Sequence, residues 1–226
     1  MAQEKKIVHY SSSQKILLVG EGDFSFAICL AKAFGSASNM VATSLNSREE
    51  LGVNYSNAMS NLKELEDRGC TVLHGVDVHT MSQHPDLIHR RFDCIIYNFP
   101  HAGYLRGFSS SESDDSQILA HKKLVKGYFM SARQMLSICG QIHVTHKTKP
   151  PFTEWRIVKL AEEAGLFLLE EKKFYSWDIQ AMRTREDLGT AMQVLMLECL
   201  APSNLFHMQC NRELIAISIP KPHCSL

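Results

Sequence analysis

Short apolar runs along the chain alternate with segments whose apolar residues recur every three or four positions. Residues 16–19 are apolar at four consecutive positions, which is typical of a strand that is buried on both of its faces. Residues 48–68 instead carry apolar side chains such as Leu51 and Tyr55 at helical spacing, and Gly69 follows as a helix stop. This alternation predicts a parallel sheet whose strands are connected by crossover helices.

The same pattern predicts six strands and five helices in one α/β domain. The predicted strands are residues 15–19, 40–45, 71–73, 92–97, 141–146 and 166–169, and the longer predicted helices are residues 25–34, 48–68, 117–138 and 153–164, the last with Thr153 as its N-cap. We therefore expect a Rossmann-like, doubly wound, mostly parallel sheet. The domain is expected to span residues 14–177, between an N-terminal extension at 1–13 and a poorly ordered tail at 178–226. Residues 109–116 are rich in serine and acidic residues and predict an exposed loop.

The composition is that of a globular protein of the cell interior. Of the 226 residues, 45% are hydrophobic and 21% are charged, which excludes a disordered or collagen-like chain. Lys+Arg and Asp+Glu each number 24, so a nucleic acid would have to be bound by a local patch. No apolar run reaches the roughly 20 residues of a membrane-spanning helix. The seven cysteines form no CxxC pair, so we expect a reducing compartment.

A glycine-rich turn follows the first predicted strand. Gly20, Glu21, Gly22, Asp23, Phe24 and Ser25 stand in a row before a helix. Glycines let the backbone approach a ligand, and the helix offers free N–H groups. Ser25 occupies the place of the third glycine of a dinucleotide fingerprint, which argues against an NAD-dependent oxidoreductase. A tight turn without a ligand is the alternative.

Two polar residues follow the next two strands. Asn46 stands where a nucleotide-binding sheet commonly has a carboxylate for the ribose hydroxyls. It is equally compatible with an ordinary turn before a helix. Asp77 could accept a hydrogen bond from an adenine amino group or cap the next helix.

The tetrapeptide Asn98, Phe99, Pro100 and His101 follows the fourth strand. An amide oxygen and a carbonyl beside a proline can converge on one N–H of a planar base, while an aromatic ring covers its face. This arrangement suits methylation of a ring nitrogen. Asn-x-Pro also occurs in turns without any such role.

Histidines and basic residues give weaker signals. The nearest approach to a metal pattern is formed by Cys70, His74, His79, His84 and His89, but these straddle several elements, and we expect no metal site. Basic side chains that could contact RNA phosphates are Arg90, Arg91, Lys122, Lys123, Lys126, Lys147 and Lys149. The three lysines of residues 122–126 are equally well explained as the solvated side of a helix.

Six short segments together resemble the ribosomal RNA (uridine-N3)-methyltransferase-like family, of which plants carry many copies. They are residues 19–26, 42–45, 61–62, 74–77, 98–101 and 142–147. The resemblance implies an S-adenosylmethionine-dependent enzyme acting on N3 of uridine in large-subunit rRNA, in the nucleolus or the cytoplasm. It places the methionine moiety at Gly20–Ser25, adenine near Asp77, and the target base at Asn98–His101.

The family mechanism assigns further roles near the base. The uridine nitrogen must lose its proton, and His101 is the nearest candidate acceptor in the sequence. Phe99 or Tyr104 could cover the face of the base. We expect no membrane attachment, and the sequence makes no prediction of oligomeric state.

Two departures from the family pattern lead to an alternative. The family has Asp where this chain has Asn46. From Asp178 onward the pattern disappears, although codons for residues 178–186 read two nucleotides further on can spell the family's Tyr-Pro-Gly-Tyr segment. We interpret the tail as a frame-shifted C-terminus and expect the last hairpin of the sheet to be missing. The alternative function is a degenerate, non-catalytic paralogue that serves as a binding module.

Overall fold

A computed structural model of the chain describes residues 3–103, 111–174 and 192–199. Its strands are β1 (Lys6–Ile7), β2 (Tyr10–Ser11), β3 (Ile16–Val19), β4 (Met40–Thr43), β5 (Thr71–Leu73), β6 (Phe92–Asn98), β7 (Leu136–Lys147), β8 (Phe167–Phe174) and β9 (Met192–Glu198). Its helices are α1 (Ser25–Phe34), α2 (Arg48–Asn54), α3 (Ala58–Asp67), α4 (Asp115–Met135) and α5 (Ile157–Glu163), with 3₁₀ turns at Met81–Gln83 and Phe152–Trp155. Within these ranges, every helix is too short or too polar to cross a membrane.

Seven strands form the central sheet, in the order β5-β4-β3-β6-β7-β9-β8. Strands β5, β4, β3, β6 and β7 are parallel, and β9 is antiparallel to both of its neighbours. The prediction of a Rossmann-like, mostly parallel α/β sheet is confirmed.

Apolar layers cover both faces of this sheet. Ile16 and Leu18 of β3 pack on one side with residues of α1 and α3, whereas Leu17 and Val19 pack on the other side with α4 and α5. All four side chains are at most 2% exposed. Residues 16–19 are therefore apolar at every position because both faces of the strand are buried, as the sequence predicts.

Three predicted helices have different limits in the structure. The helix expected at residues 117–138 is α4, which runs from Asp115 to Met135, and β7 begins at the next residue. The single helix expected at residues 48–68 is wrong: α2 ends at Asn54, Tyr55 is extended, and α3 starts at Ala58. The helix expected from Thr153 begins only at Ile157, because a 3₁₀ turn comes first and Arg156 has a left-handed backbone (φ 52°). Helical spacing of apolar residues continues across both breaks, so periodicity alone does not reveal them.

The expectation that the last hairpin is missing is also wrong. β8 and β9 pair antiparallel, and β9 lies between β7 and β8. Its four residues 194–197 are apolar and buried, as the slot between two strands requires. β9 therefore occupies the position between β7 and β8 although it lacks the sequence motif of the family's last hairpin. The remainder of the tail, at 178–191 and 200–226, lies outside the described residues, and so does its interpretation as a frame-shifted segment.

The segment expected as an N-terminal extension contains a small hairpin that packs on the domain. β1 pairs with β2, and Tyr10 is 3% exposed. The Tyr10 hydroxyl donates to Nδ1 of the buried His143 (3.3 Å), while Nε2 of that ring bonds to Gln141 Oε1 (3.1 Å). His9 lies against the same ring, at 5.1 Å between centroids. Two histidines are thus enclosed where the hairpin meets the sheet.

These histidines predict a loss of stability in mild acid. Burial lowers the pKa of His143 from 6.5 to about 3 and that of His9 to about 4. The unfolded chain therefore binds more protons below pH 6.5, so stability is complete above that pH and falls as the pH decreases toward the folded values. For His143 alone we expect a loss of about 2 kcal/mol at pH 5. Urea unfolding at pH 7.5 and pH 5 measures it.

A pair of variants isolates the contribution of the buried ring. His143→Gln should unfold with a smaller difference between the two pH values, whereas His89→Gln, which changes an exposed histidine, should retain the full difference. An unchanged pH dependence in His143→Gln would contradict the assignment.

Candidate functional site

One cavity of about 830 Å³ opens at the carboxyl ends of β3, β4 and β6. Parallel strands bring the loops that follow them to the same edge, so segments far apart in the sequence meet here. Ten of the twelve predicted site residues line it: Gly20, Glu21, Gly22, Asp23, Ser25, Asn46, Asp77, Asn98, Phe99 and His101. The volume is within the range of small-molecule sites.

The other two predicted residues are buried and do not line the cavity. Phe24 is fully buried in the core beside α1, and its backbone is left-handed (φ 61°). Pro100 is buried as well. Tyr104, the second candidate for covering the base, lies outside the described residues. The tetrapeptide therefore presents Asn98, Phe99 and His101 to the cavity.

A tyrosine ring lies against each of the two glycines of the first loop. A Cβ at Gly20 would lie 2.5 Å from Cε2 of Tyr97, and a Cβ at Gly22 would lie 3.2 Å from the Tyr55 ring. Asn61 Nδ2 donates to the Asp23 carbonyl (2.8 Å) and ties the loop to α3. Sequence reasoning assigned no role in the site to either tyrosine, although Tyr97 directly precedes Asn98 at the end of β6.

The cavity carries acidic side chains. Glu21, Asp23 and Asp77 line it, and no lysine or arginine does among the residues described. Glu21 is 8% exposed and accepts a hydrogen bond from the Ala27 N–H (3.3 Å). Burial raises the pKa of Glu21 from 4.5 to about 7. Such a lining favours a ligand that carries positive charge, because a cation restores the buried carboxylate to its charged form.

The residues after β4 and β5 line the cavity and also form hydrogen bonds in their own turns, but Asp77 does not cap the 3₁₀ turn that follows it, whose N-cap is Thr80. Asn46 lines the cavity, and its Nδ2 donates to Glu50 Oε2 (3.3 Å) in the turn before α2. Asp77 also lines the cavity, while its Oδ1 accepts the His79 N–H (2.8 Å). Each side chain is therefore held by its turn in a position next to the cavity.

Asn98 has one half of its amide bonded and the other half unpartnered. Its Oδ1 accepts a hydrogen bond from Thr145 Oγ1 of β7 (2.6 Å). Its Nδ2 is buried and has no partner among the described residues. The expectation placed the amide oxygen on a base N–H, whereas the structure leaves a donor unpaired. A buried donor without a partner costs about 1–3 kcal/mol, so this atom points to a ligand that accepts a hydrogen bond.

Glu112 joins two histidines at the border of the cavity. Its Oε1 lies 2.8 Å from His101 Nε2 and its Oε2 lies 3.0 Å from His121 Nε2. The Nδ1 atoms accept from the backbone, from Gly103 N at His101 (2.9 Å) and from Ala102 N at His121 (3.1 Å). Each neutral ring therefore carries its proton on Nε2 and donates it to the carboxylate. Glu112 belongs to the segment 109–116 that the sequence predicts as an exposed loop. The composition of that segment does not indicate that one of its carboxylates binds two histidines.

In the described part of the chain, these three side chains are the group whose potential metal-ligand atoms lie close together, within 4.8 Å of one another. A ligating Nε2 needs a free lone pair, with the proton on Nδ1. The backbone N–H groups at both Nδ1 atoms impose the opposite tautomer. We therefore interpret the cluster as a hydrogen-bonded clamp that holds residues 101–103 against α4. The five residues of the sequence-based metal pattern form no such group.

Comparison with known proteins gives relatives of different lengths. An uncharacterized protein of Arabidopsis thaliana is 52% identical over 171 residues, which are 76% of this chain and 81% of that protein. The heavy metal-associated isoprenylated plant protein 41 of the same organism is 49% identical over 172 residues, and the match covers 76% of this chain but only 33% of that protein. The 25S rRNA (uridine(2634)-N(3))-methyltransferase of Saccharomyces cerevisiae is 23% identical, over 76% of this chain and 66% of that protein.

A solved structure shares the fold of this chain, and one family model matches most of its sequence. NSun6 from Pyrococcus horikoshii, crystallised with SFG, superposes with a TM-score of 0.59 at 16% identity, over 84% of this chain and 48% of that one. A family model described as rRNA (uridine-N3-)-methyltransferase BTM5-like matches residues 17–185. Because that match covers well over half of the sequence and includes every residue of the cavity named above, the chain belongs to the rRNA (uridine-N3-)-methyltransferase BTM5-like family.

Proposed function

We propose that the protein is an S-adenosylmethionine-dependent methyltransferase that modifies N3 of uridine in large-subunit rRNA. The observation that carries this proposal is the unpartnered Asn98 Nδ2 at the edge of an acidic cavity. Family membership and the likeness to the yeast enzyme support the same reaction. We expect the reaction to take place where rRNA is made or used, in the nucleolus or the cytoplasm.

The residues of the cavity fit this cofactor. S-adenosylmethionine supplies an electrophilic methyl group on a positively charged sulfonium. Glu21, Asp23 and Asp77 provide negative charge around it without an opposing lysine or arginine among the described lining residues. Asn46 and Asp77 offer polar atoms for the ribose and adenine, and the two glycines keep the loop close to the ligand.

Asn98 is suited to the electronic change in the base. Methylation at N3 requires the uracil ring to lose the N3 proton, which moves negative charge onto its carbonyl oxygens. A donor aimed at such an oxygen stabilises that charge, in the way an oxyanion hole does. Thr145 fixes the opposite side of the amide (2.6 Å) and so orients the donor.

His101 has a positioning role in this proposal. Its Nε2 proton is directed to Glu112 and its Nδ1 lone pair accepts from Gly103. Neither nitrogen offers a free lone pair to the uridine proton, which we therefore assign to water. The ring instead holds the segment after Pro100 in place.

Nucleoside analysis tests the reaction. Large-subunit rRNA lacking the modification is incubated with the protein and methyl-labelled cofactor, and the digested nucleosides are identified by mass spectrometry. Labelled 3-methyluridine is the expected product. Cofactor binding without any labelled nucleoside would favour the non-catalytic alternative, and label in another nucleoside would overturn the proposed position.

Glu21 predicts that cofactor affinity depends on pH. With a pKa of about 7 in the free protein, the carboxyl is largely protonated at pH 6, and a cation binds better to the charged form. The bound cation should lower the pKa of Glu21 again, so cofactor binding should release a proton. The affinity for the cofactor should therefore increase about tenfold between pH 6 and pH 8. Calorimetry in buffers of different ionisation enthalpy measures both effects. Glu21→Gln should bind more weakly and without this pH dependence; an unchanged pH profile would contradict the assignment.

A further inference from the structure

A second, smaller cavity lies at the end of β7 and shares no lining residue with the acidic one. It encloses about 330 Å³, and its lining includes His146, Lys147, Phe152, Arg156, Lys159 and Gln193. Three of these residues are cationic, and no carboxylate lines the cavity among the residues described. The charge of this second cavity is thus opposite to that of the first.

The three cationic side chains of the second cavity form no ion pair with the described residues. Within the described ranges, Lys147, Arg156 and Lys159 have no carboxylate within 4.0 Å. Lys126 of α4, by contrast, pairs with Glu163 at 2.7 Å. Lys147 Nζ lies over the Phe152 ring, 5.1 Å from its centroid. Lys159 contributes to the lowered pKa of Glu163 from a longer distance. Three cations without a carboxylate at ion-pair distance around one concave site indicate an anionic ligand.

A buried imidazole without a partner lines the same cavity. His146 is 6% exposed, and its Nε2 has no hydrogen-bond partner among the described residues. Burial lowers the pKa of His146 to about 4, so the ring is neutral at pH 7 and its Nε2 can bond to a neutral polar group. This requirement is separate from the cationic rim and indicates a ligand with both charged and uncharged polar atoms.

Backbone strain marks the same place. Arg156 has φ 52° although it is not glycine, a conformation that costs about 1–3 kcal/mol and is concentrated at functional sites. It places this arginine at the cavity, between the 3₁₀ turn and α5.

A ladder of rings connects the two cavities. His101 contacts His121 at 4.6 Å, His121 stacks on Trp155 at 4.3 Å with 24° between planes, and Trp155 contacts His146 at 4.7 Å between centroids. In addition, Thr145, which orients Asn98, directly precedes His146 in β7. A ligand bound to His146 would therefore contact the first ring of a packed series that ends at His101, on the border of the acidic cavity.

We propose that the second cavity binds a nucleotide of the RNA strand that flanks the target uridine, with Lys147, Arg156 and Lys159 on its phosphate and His146 Nε2 on its base or sugar. This proposal rests on the proposed function, since it assumes an RNA substrate. The acidic cavity holds the cationic cofactor, and the basic cavity holds the anionic backbone, so the strand is fixed on one side of the extruded base.

Binding of a fluorescent single-stranded oligouridylate, followed by anisotropy at 50 to 200 mM salt, tests this assignment. The double variant Arg156→Gln/Lys159→Gln changes two exposed side chains. It should bind about tenfold more weakly, and the slope of log K against log salt should become less steep by about 1.4, for two lost phosphate contacts on a single strand. The matched control Lys5→Gln/Lys15→Gln changes two exposed lysines that line neither cavity, and it should bind like the parent protein.

The possible failures are distinguishable. Cofactor titration by calorimetry is run on every variant and should be unchanged by the double substitution. If the parent protein binds no cofactor, the proposed function fails. If cofactor binds but the Arg156→Gln/Lys159→Gln variant retains full RNA affinity, or the control loses it, the second cavity is not the RNA site. Displacement of the oligonucleotide by equimolar 5′-UMP would indicate a free nucleotide as the ligand and would also overturn the proposal.

Discussion

Replacement of Asn98 by alanine should lower the rate of methyl transfer by about 100- to 1000-fold, the usual cost of removing one donor to a developing oxyanion. The substitution deletes the unpartnered Nδ2 together with Oδ1, whose partner is Thr145 of β7. Neither atom bonds to the cofactor loop at residues 20–25 within the described residues. The dissociation constant for S-adenosylmethionine should therefore change little. Single-turnover rates with saturating RNA, together with cofactor calorimetry, measure the two effects separately.

Two further variants separate donation from positioning. Thr145→Val removes the hydroxyl that orients the amide (2.6 Å), and we expect an intermediate loss of rate because the donor remains but is less well fixed. His101→Gln should cost less than Asn98→Ala, because both ring nitrogens of His101 already bond within the protein. A larger loss in His101→Gln than in Asn98→Ala would reverse the roles given to these two residues.

Gly20→Ala is the substitution with the largest expected effect on cofactor binding. Its Cβ would lie 2.5 Å from the Tyr97 ring, and its φ of +66° is unfavourable for alanine. Overpacking of this kind costs about 1–3 kcal/mol, and relief of the clash would displace the loop that lines the cavity. We expect the affinity for S-adenosylmethionine to fall about 10- to 100-fold, as measured by calorimetry.

Gly75→Ala is the matched control for this clash. Gly75 has nearly the same backbone angle (φ +69°), but nothing lies within 4 Å of its added Cβ. It should lose stability by the cost of the left-handed conformation, about 1–2 kcal/mol, and keep its cofactor affinity. Equal affinity losses in the two variants would show that the backbone angle, and not the contact with Tyr97, is responsible.

The parts of the site that depend on strand order could be predicted from the sequence. Buried parallel strands are recognisable as apolar runs, and the residues after them must meet at one edge of the sheet. For this reason the sequence predicts that Gly20, Asn46, Asp77 and Asn98 lie at one edge of the sheet, and all four line the cavity.

The parts of the site that depend on contacts between distant segments could not be predicted from the sequence. The proximity of Tyr55 to Gly22 follows from a break between α2 and α3 that the apolar spacing does not reveal. Glu112 lies in a stretch whose composition indicates an exposed loop, yet its carboxylate binds two histidines. Likewise, the buried position of residues 194–197 follows from the open slot between β7 and β8, which exists only in the folded sheet.

The position of β9 also has a consequence for how the protein is made. Of the described strands it comes last in the chain, yet it pairs with β7 on one side and β8 on the other. While a ribosome is still adding these residues, two earlier strands expose open backbone edges that can pair with other nascent chains. Completion of the sheet therefore has to wait until translation has passed residue 198, and chaperone protection in that interval would raise the yield of native protein.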